Sequence, residues 1–146
     1  NASRSRMFVD KIRKALWILK DKRIAVLGLA FKPETDDIRE APAIKVIKEL
    51  LAEGASVRLY DPQAMANMRE VVPEDGTRVV YCKTPYDAAA GANALIVCTE
   101  WKEFCDLDLA RVRDLMANLI LIDGRNLYDP EAVRELGFEY YSVGRK

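Results

Sequence analysis

The 146-residue sequence contains no histidine. That absence removes the side chain that most often titrates near neutral pH, every Ser-His or Cys-His nucleophile pair, and the commonest metal ligand. Cysteine is scarce: Cys82, Cys98 and Cys105 are an odd three, with no C-x-x-C spacing. They exclude a disulfide scaffold, speak against zinc, and fit a reducing compartment in which each is a small buried hydrophobe. Neither sign of charge is in excess, with 23 Lys and Arg against 23 Asp and Glu. No global field therefore draws the chain to nucleic acid or an anionic membrane, and any anion site has to be local. No apolar run approaches the roughly 18 residues of a membrane span, and no leader pattern opens the chain. These absences predict a soluble, cytoplasmic, metal-free protein. Asn1 at the start, rather than Met, implies either a chain cut from something longer or Asn1 and Ala2 as an expression remnant.

What is present suits one globular domain: 50% hydrophobic and 32% charged residues, in a length that buries roughly 68–70% of the unfolded surface. Phe8, Ile12, Leu16 and Leu19 keep helical spacing and predict a helix that ends at Asp21-Lys22. It is either a helix packed on the domain or the last turns of a longer interdomain helix, which sets the expected boundary at 1–21 and 22–146. Then strands and helices alternate. Short apolar runs at 23–28, 56–60, 78–81, 94–98 and 118–123 read as strands, and 138–143 as an edge strand. Between them, a helix carries Ile44, Ile47 and Leu51 on one line and stops at Gly54. Asp61-Pro62 reads as cap and first residue of a short helix, and Thr84-Pro85 as the same for a helix ended by Gly91. Further helices are predicted over 107–116 and 131–136. The fold class that follows is α/β: a three-layer, doubly wound, mainly parallel, Rossmann-like sheet, preceded by the end of a long helix.

Ligands in such sheets sit beyond the carboxyl ends of the strands, which selects three loops. The first runs from Gly28 to Pro42. A dinucleotide cradle needs G-x-G-x-x-G leading straight into a helix, whereas here Gly28, Ala30 and Pro33 occupy the three positions and the loop is too long. A free-standing NAD(P) protein is disfavoured. The loop offers side-chain cations instead: Lys32, a compact charge suited to phosphate, and Arg39, a planar fork. Composition alone favours reading both as solvated charges paired with Asp36, Asp37 and Glu40. Those acids do not form a phospho-receiver pocket, because Gly28 stands where that fold places its strand-end acid. The second loop, Asp123-Gly124-Arg125-Asn126, throws an arginine to the rim, or is simply an arginine on a loop. The third, Thr99 to Phe104, contains Trp101, more readily a core plug or interface anchor than a stacking platform.

Taken together these motifs resemble the UDP-glucose/GDP-mannose dehydrogenase family. Gly28 to Pro33 with Thr35 to Glu40 is similar to its signature loop. Tyr60-Asp61-Pro62, Thr99-Glu100-Trp101 with Phe104, Asp123 to Asn126, Gly137-Phe138 and Val143-Gly144-Arg145 follow in the same order, so the likeness runs from about Asp21 to Arg145. Thr35-Asp36-Asp37 and Thr99-Glu100-Trp101 resemble the branch that oxidises UDP-glucose more than the GDP-mannose or UDP-N-acetylmannosamine branches. The resemblance implies an enzyme with an N-terminal NAD-binding domain, a central helix that makes a homodimer, and a C-terminal domain, this chain, that holds the substrate's nucleotide. It implies Phe31, Lys32 and Arg125 in the UDP site, with Lys32 and Arg125 at adjoining strand ends, and Arg39 reaching across a cleft to the NAD phosphates. The family's catalytic Cys lies in a segment this chain lacks, so no catalytic residue and no turnover are expected here. Its product, a nucleotide glucuronate, feeds polysaccharide synthesis. Asn93 departs from the acid the family often has before the fourth strand, at the end away from the ligand. The competing expectation is a non-catalytic oligomerisation or interaction module using Trp101, Phe104 and the apolar face of residues 7–19.

Overall fold

The computed structural model describes residues 2–142, with side chains from residue 6 onward; the Val143-Gly144-Arg145 motif lies outside them. The elements are α1 (Ala2–Leu16), β1 (Arg23–Leu27), α2 (Pro42–Ala52), β2 (Ser56–Tyr60), α3 (Met65–Val71), β3 (Val79–Tyr81), α4 (Pro85–Ala89), β4 (Ala94–Val97), α5 (Lys102–Cys105), α6 (Leu109–Leu115), β5 (Ile120–Asp123), α7 (Pro130–Glu135) and β6 (Glu139–Ser142). The strands form one sheet in the order β3-β2-β1-β4-β5-β6, and each neighbouring pair is parallel. Strand order reverses between β1 and β4, so right-handed crossovers run outward in two directions and cover opposite faces. α1 packs on α2 and β5, and α4 packs on α6, β1 and β2. Every residue of β4 and β5 is buried, as central parallel strands require. The expected doubly wound sheet is therefore present, with all strands parallel.

Several local expectations change. α1 ends at Leu16, before Asp21, because Trp17 turns to a positive φ of 68° and only then does Leu19 return to the core. Phe8, Val9 and Ile12 share one core with the strands, so the helix packs on the domain. In α2 the buried residues are Ala43, Val46, Ile47 and Leu50. Ile44 and Leu51 only flank that core, so the predicted Ile44–Ile47–Leu51 line is the rim of the apolar stripe. The predicted helix over 107–116 is α6, started at Asp108, whose side chain accepts from the Arg111 amide at 3.2 Å; the separate short α5 before it (Lys102–Cys105) is not among the predicted elements. Thr84 caps α4 as expected, accepting from the Asp87 amide at 3.0 Å. Cys82 and Cys98 are buried, but Cys105 is exposed and is not a core residue. Asn93 accepts from the Arg23 amide at 2.8 Å and donates to Asn118 at 2.7 Å; it ties the amino edge of the sheet, opposite the ligand edge.

The turn after β1 is sterically exacting. Gly28 has φ +93°, and a Cβ there would lie 2.7 Å from the Thr99 backbone nitrogen, whereas one at Gly76 (φ +80°) would meet nothing within 4 Å. Gly76→Ala should cost only the left-handed penalty, about 1–2 kcal/mol, and Gly28→Ala about 1–3 kcal/mol more for the overlap. Urea unfolding of both variants measures the difference; equal midpoints would contradict the close approach of this turn to Thr99.

Candidate functional site

The carboxyl edge of the sheet is built from strand ends in register. Tyr60 pairs with Leu27, Leu27 with Val97, and Val97 with Asp123. The ladder continues one residue further: the amides of Gly28, Cys98 and Gly124 donate to Tyr60, Leu27 and Val97, each at 2.9 Å. Beyond this row the chain must turn, and the loop amides need acceptors wherever they are buried.

Two aspartates supply them. Asp61, immediately after β2, is fully buried. Its Oδ2 accepts from the amides of Leu29 at 2.7 Å and Ala30 at 3.0 Å and from Trp101 Nε1 at 3.2 Å. Its Oδ1 accepts from the amides of Gln63 and Ala64, both at 2.8 Å. This corrects the expectation that Asp61-Pro62 caps a helix: α3 starts at Met65 without a side-chain cap. Asp61 holds the first loop. Thr99 completes the fastening, its hydroxyl donating to the Ala30 carbonyl at 2.8 Å. Asp123, the buried last residue of β5, does the same for the Gly124 loop. It accepts from the amides of Arg125 at 3.1 Å, Leu127 at 2.7 Å and Tyr128 at 3.1 Å, and from the Tyr140 hydroxyl at 2.7 Å. Gly124 is a packing requirement, since a Cβ there would lie 2.4 Å from the Phe8 ring of α1.

The loop held by Asp61 presents Phe31, 47% exposed, and the exposed Lys32. Among the described residues no carboxylate forms an ion pair with Lys32. The loop held by Asp123 presents Arg125, whose Nη2 donates to both carboxylate oxygens of Glu100, at 3.0 and 2.9 Å. Arg125 is thus neither a free rim charge nor idle on a loop. Its guanidinium also acts on the Cys98 thiol, lowering its pKa against the burial that pushes it up to about 12; the side chain leans over the end of β4. The expectation that Lys32 and Arg125 stand at adjoining strand ends is corrected: β4 lies between β1 and β5, and Arg125 reaches back across it.

Arg39 stands apart from that pair of cations. It is 88% exposed and forks onto Asp37, with Nε to Oδ1 at 3.0 Å and Nη2 to Oδ2 at 2.8 Å. The Phe31 amide donates to the Asp37 carbonyl at 2.7 Å, so Asp37 closes the loop. Asp36 joins it to α3, its carbonyl accepting from Asn67 Nδ2 at 2.8 Å. Trp101 and Phe104 are buried, core plugs rather than contact surface. Sequence reasoning missed Asp61 as an anchor and Glu100 as the partner of Arg125. The first carried a signal, an acid directly after a strand; the second has none, because the two residues are far apart in the chain.

Comparison with known proteins gives a consistent picture. The profile described as UDP-glucose/GDP-mannose dehydrogenase family, UDP binding domain, matches residues 25–130. The chain is 41% identical over 146 residues to UDP-glucose 6-dehydrogenase YwqF of Bacillus subtilis, covering 100% of this chain and 32% of that protein. It is 45% identical over 127 residues to UDP-glucose 6-dehydrogenase of Rhizobium meliloti, covering 87% of this chain and 28% of the relative. A UDP-glucose dehydrogenase structure from Pyrobaculum islandicum superposes with TM-score 0.79 at 32% identity, over 97% of this chain and 29% of that one. A UDP-D-ManNAc dehydrogenase structure from Pyrococcus horikoshii gives 0.75 at 29% identity, over 99% and 30%. The chain therefore spans under a third of the length of these curated relatives.

The Arg39 fork holds the Asp37 carboxyl down at about 2, chiefly through the hydrogen bonds from Arg39 and with a contribution from Lys32. A carboxyl depressed on folding adds stability above its unfolded pKa and loses it as pH falls through the folded one. The clamp should therefore persist until pH approaches 2. Carboxyl 13C NMR should place the Asp37 midpoint near there. Arg39→Ala, which removes the side-chain bonds but keeps the backbone amide bond to Asp37, should raise it part of the way toward the ordinary carboxyl value. An unmoved midpoint would contradict the fork.

Proposed function

Because the chain belongs to the UDP-glucose/GDP-mannose dehydrogenase family, as its UDP-binding domain, we propose that it is the part of an NAD-dependent UDP-glucose 6-dehydrogenase that holds the nucleotide of the sugar substrate. The observation that carries this reading is the pair of carboxylate-anchored loops, which bring Lys32 and Arg125 to one edge on either side of β4. Two cations there suit a diphosphate, while the molecule as a whole stays at net charge +0. Phe31 gives the same rim an exposed apolar ring for the rest of the ligand. The 41% and 45% identities to UDP-glucose 6-dehydrogenases support the glucose branch.

NAD supplies the oxidant when bound to such an enzyme, in two successive oxidations of the sugar C6 alcohol to the glucuronate. The switch point of this chain does not fit a dinucleotide: the Leu29 and Ala30 amides that would face a pyrophosphate donate to Asp61. The main NAD site therefore belongs to an N-terminal domain. The exposed guanidinium of Arg39, with Nη1 outside its bonds to Asp37, is placed to meet the cofactor phosphates across the interdomain cleft. The reacting thiol is read as lying elsewhere: Cys82 and Cys98 are buried, the Cys98 thiol is pushed up to about 12, and the exposed Cys105 has no Gly-rich segment around it. α1 is read as the last turns of the helix that joins the domains and makes the homodimer, in a cytoplasmic enzyme serving polysaccharide synthesis. The interaction-module reading loses Trp101 and Phe104, which are buried, and of residues 7–19 keeps Met7, Trp17 and Ile18 as exposed apolar side chains; the family match favours the nucleotide-binding reading.

Calorimetric titration of the chain with UDP, GDP and NAD tests the proposal. UDP should bind and NAD should not. Lys32→Ala and Arg125→Ala should each weaken UDP by about tenfold or more, the effect of losing one charge-assisted hydrogen bond of roughly 1.5–3 kcal/mol. A preference for GDP would move the parent enzyme to the mannose branch, and no nucleotide binding would refute the site.

A further inference from the structure

The Arg125–Glu100 pair is asymmetric. Glu100 takes one guanidinium nitrogen, Nη2, with both of its oxygens, instead of the two parallel bonds of a fork-to-fork pair. The Nε and Nη1 side of Arg125 is therefore outside this interaction. Both partners are held from behind. The Arg125 amide is bonded to Asp123. Glu100 sits between Thr99, whose hydroxyl is bonded to the Ala30 carbonyl, and Trp101, whose indole is bonded to Asp61. The ion pair is 26% and 38% exposed, less screened than a surface pair. Neither backbone can move away without breaking an anchored loop, so Glu100 stays in place when an anion arrives.

We propose that Glu100 is a positioning residue that also tunes affinity: it fixes the guanidinium of Arg125 and offsets its charge, so that a nucleoside diphosphate binds through Nε and Nη1 with Glu100 still attached. This rests on the reading that Arg125 holds the substrate diphosphate. Of the two cations at the edge, Arg125 is paired with Glu100, while among the described residues no carboxylate forms an ion pair with Lys32. The diphosphate then meets less positive charge than two unpaired cations would present, which favours exchange of substrate and product over tight retention. Two opposed effects follow from one carboxylate. Its geometry helps binding, because a long side chain is held ready. Its charge hinders binding, because it stands beside the incoming phosphates.

Two substitutions separate these effects. Glu100→Gln keeps an oxygen that accepts from Nη2 and removes the charge. It should tighten UDP by about fivefold, the size of one like-charge contact in a water-like dielectric, and should tighten UMP less. Glu100→Ala removes both effects and should bind UDP more weakly than Glu100→Gln. Calorimetry on the full chain reads both, with Arg125→Ala alongside. If Arg125→Ala weakens UDP but Glu100→Gln leaves it unchanged or weaker, the tuning role is overturned and the nucleotide site stands. If Arg125→Ala has no effect, or no variant binds UDP, the underlying reading fails and takes this one with it. The Glu100 carboxyl 13C resonance in the unsubstituted chain gives an independent readout. It should stay at its ion-paired position when UDP saturates; movement to that of a free carboxylate overturns the inference.

Discussion

Two buried aspartates hold the loops on which the site is built. A parallel strand that ends at the rim leaves its next amides without ladder partners, and a buried unpaired amide costs about 1–3 kcal/mol. Asp61 accepts from four amides and an indole, and Asp123 from three amides and a phenol. Each joins elements that are remote in sequence: Asp61 connects the turns after β1, β2 and β4, and Asp123 connects the turn after β5 to Tyr140 of β6. These bonds are made without any ligand, and Lys32 and Arg125 project from the backbone they hold.

The same bonds decide what kind of anion recognition is available. In a dinucleotide fold the amides of the first turn face a pyrophosphate. Here Asp61 occupies that role from inside, and Trp101 fills the adjoining space with a buried ring. Positive charge for a phosphate ligand must then come from side chains, and it comes from the loops that the two aspartates fix. The Arg125 loop has one more constraint. Phe8 of α1 packs against Gly124, the residue before Arg125, so α1 abuts the loop that carries Arg125.

Much of this was legible in the sequence, for definable reasons. The continuous apolar runs of β1, β4 and β5 disclosed a parallel sheet, and the missing glycines after β1 disclosed the lack of a dinucleotide cradle. Thr84-Pro85 showed its cap because that interaction is local. The failures were of two kinds. At Asp61 a local rule gave a helix cap, but a carboxylate with five donors in reach serves three loops, and only the folded sheet brings those donors together. At Leu16 the apolar period ran on to Leu19, past the point where the backbone turned to a positive φ at Trp17 and ended the helix. The Glu100–Arg125 pair depended wholly on β4 and β5 being neighbours, and that order was not readable from either segment alone.

The architecture of the rim requires that Asp61 occupy the first-turn amides whether or not nucleotide is bound. Amide hydrogen exchange at Leu29 and Ala30, followed by NMR with and without saturating UDP, tests it most directly. Both amides should be protected in the free chain and remain so unchanged, while the Arg125 Nε–H resonance should shift on binding. Free exchange of Leu29 and Ala30 without ligand, with protection only when UDP is added, would show that the phosphate is held by the backbone, and would contradict it.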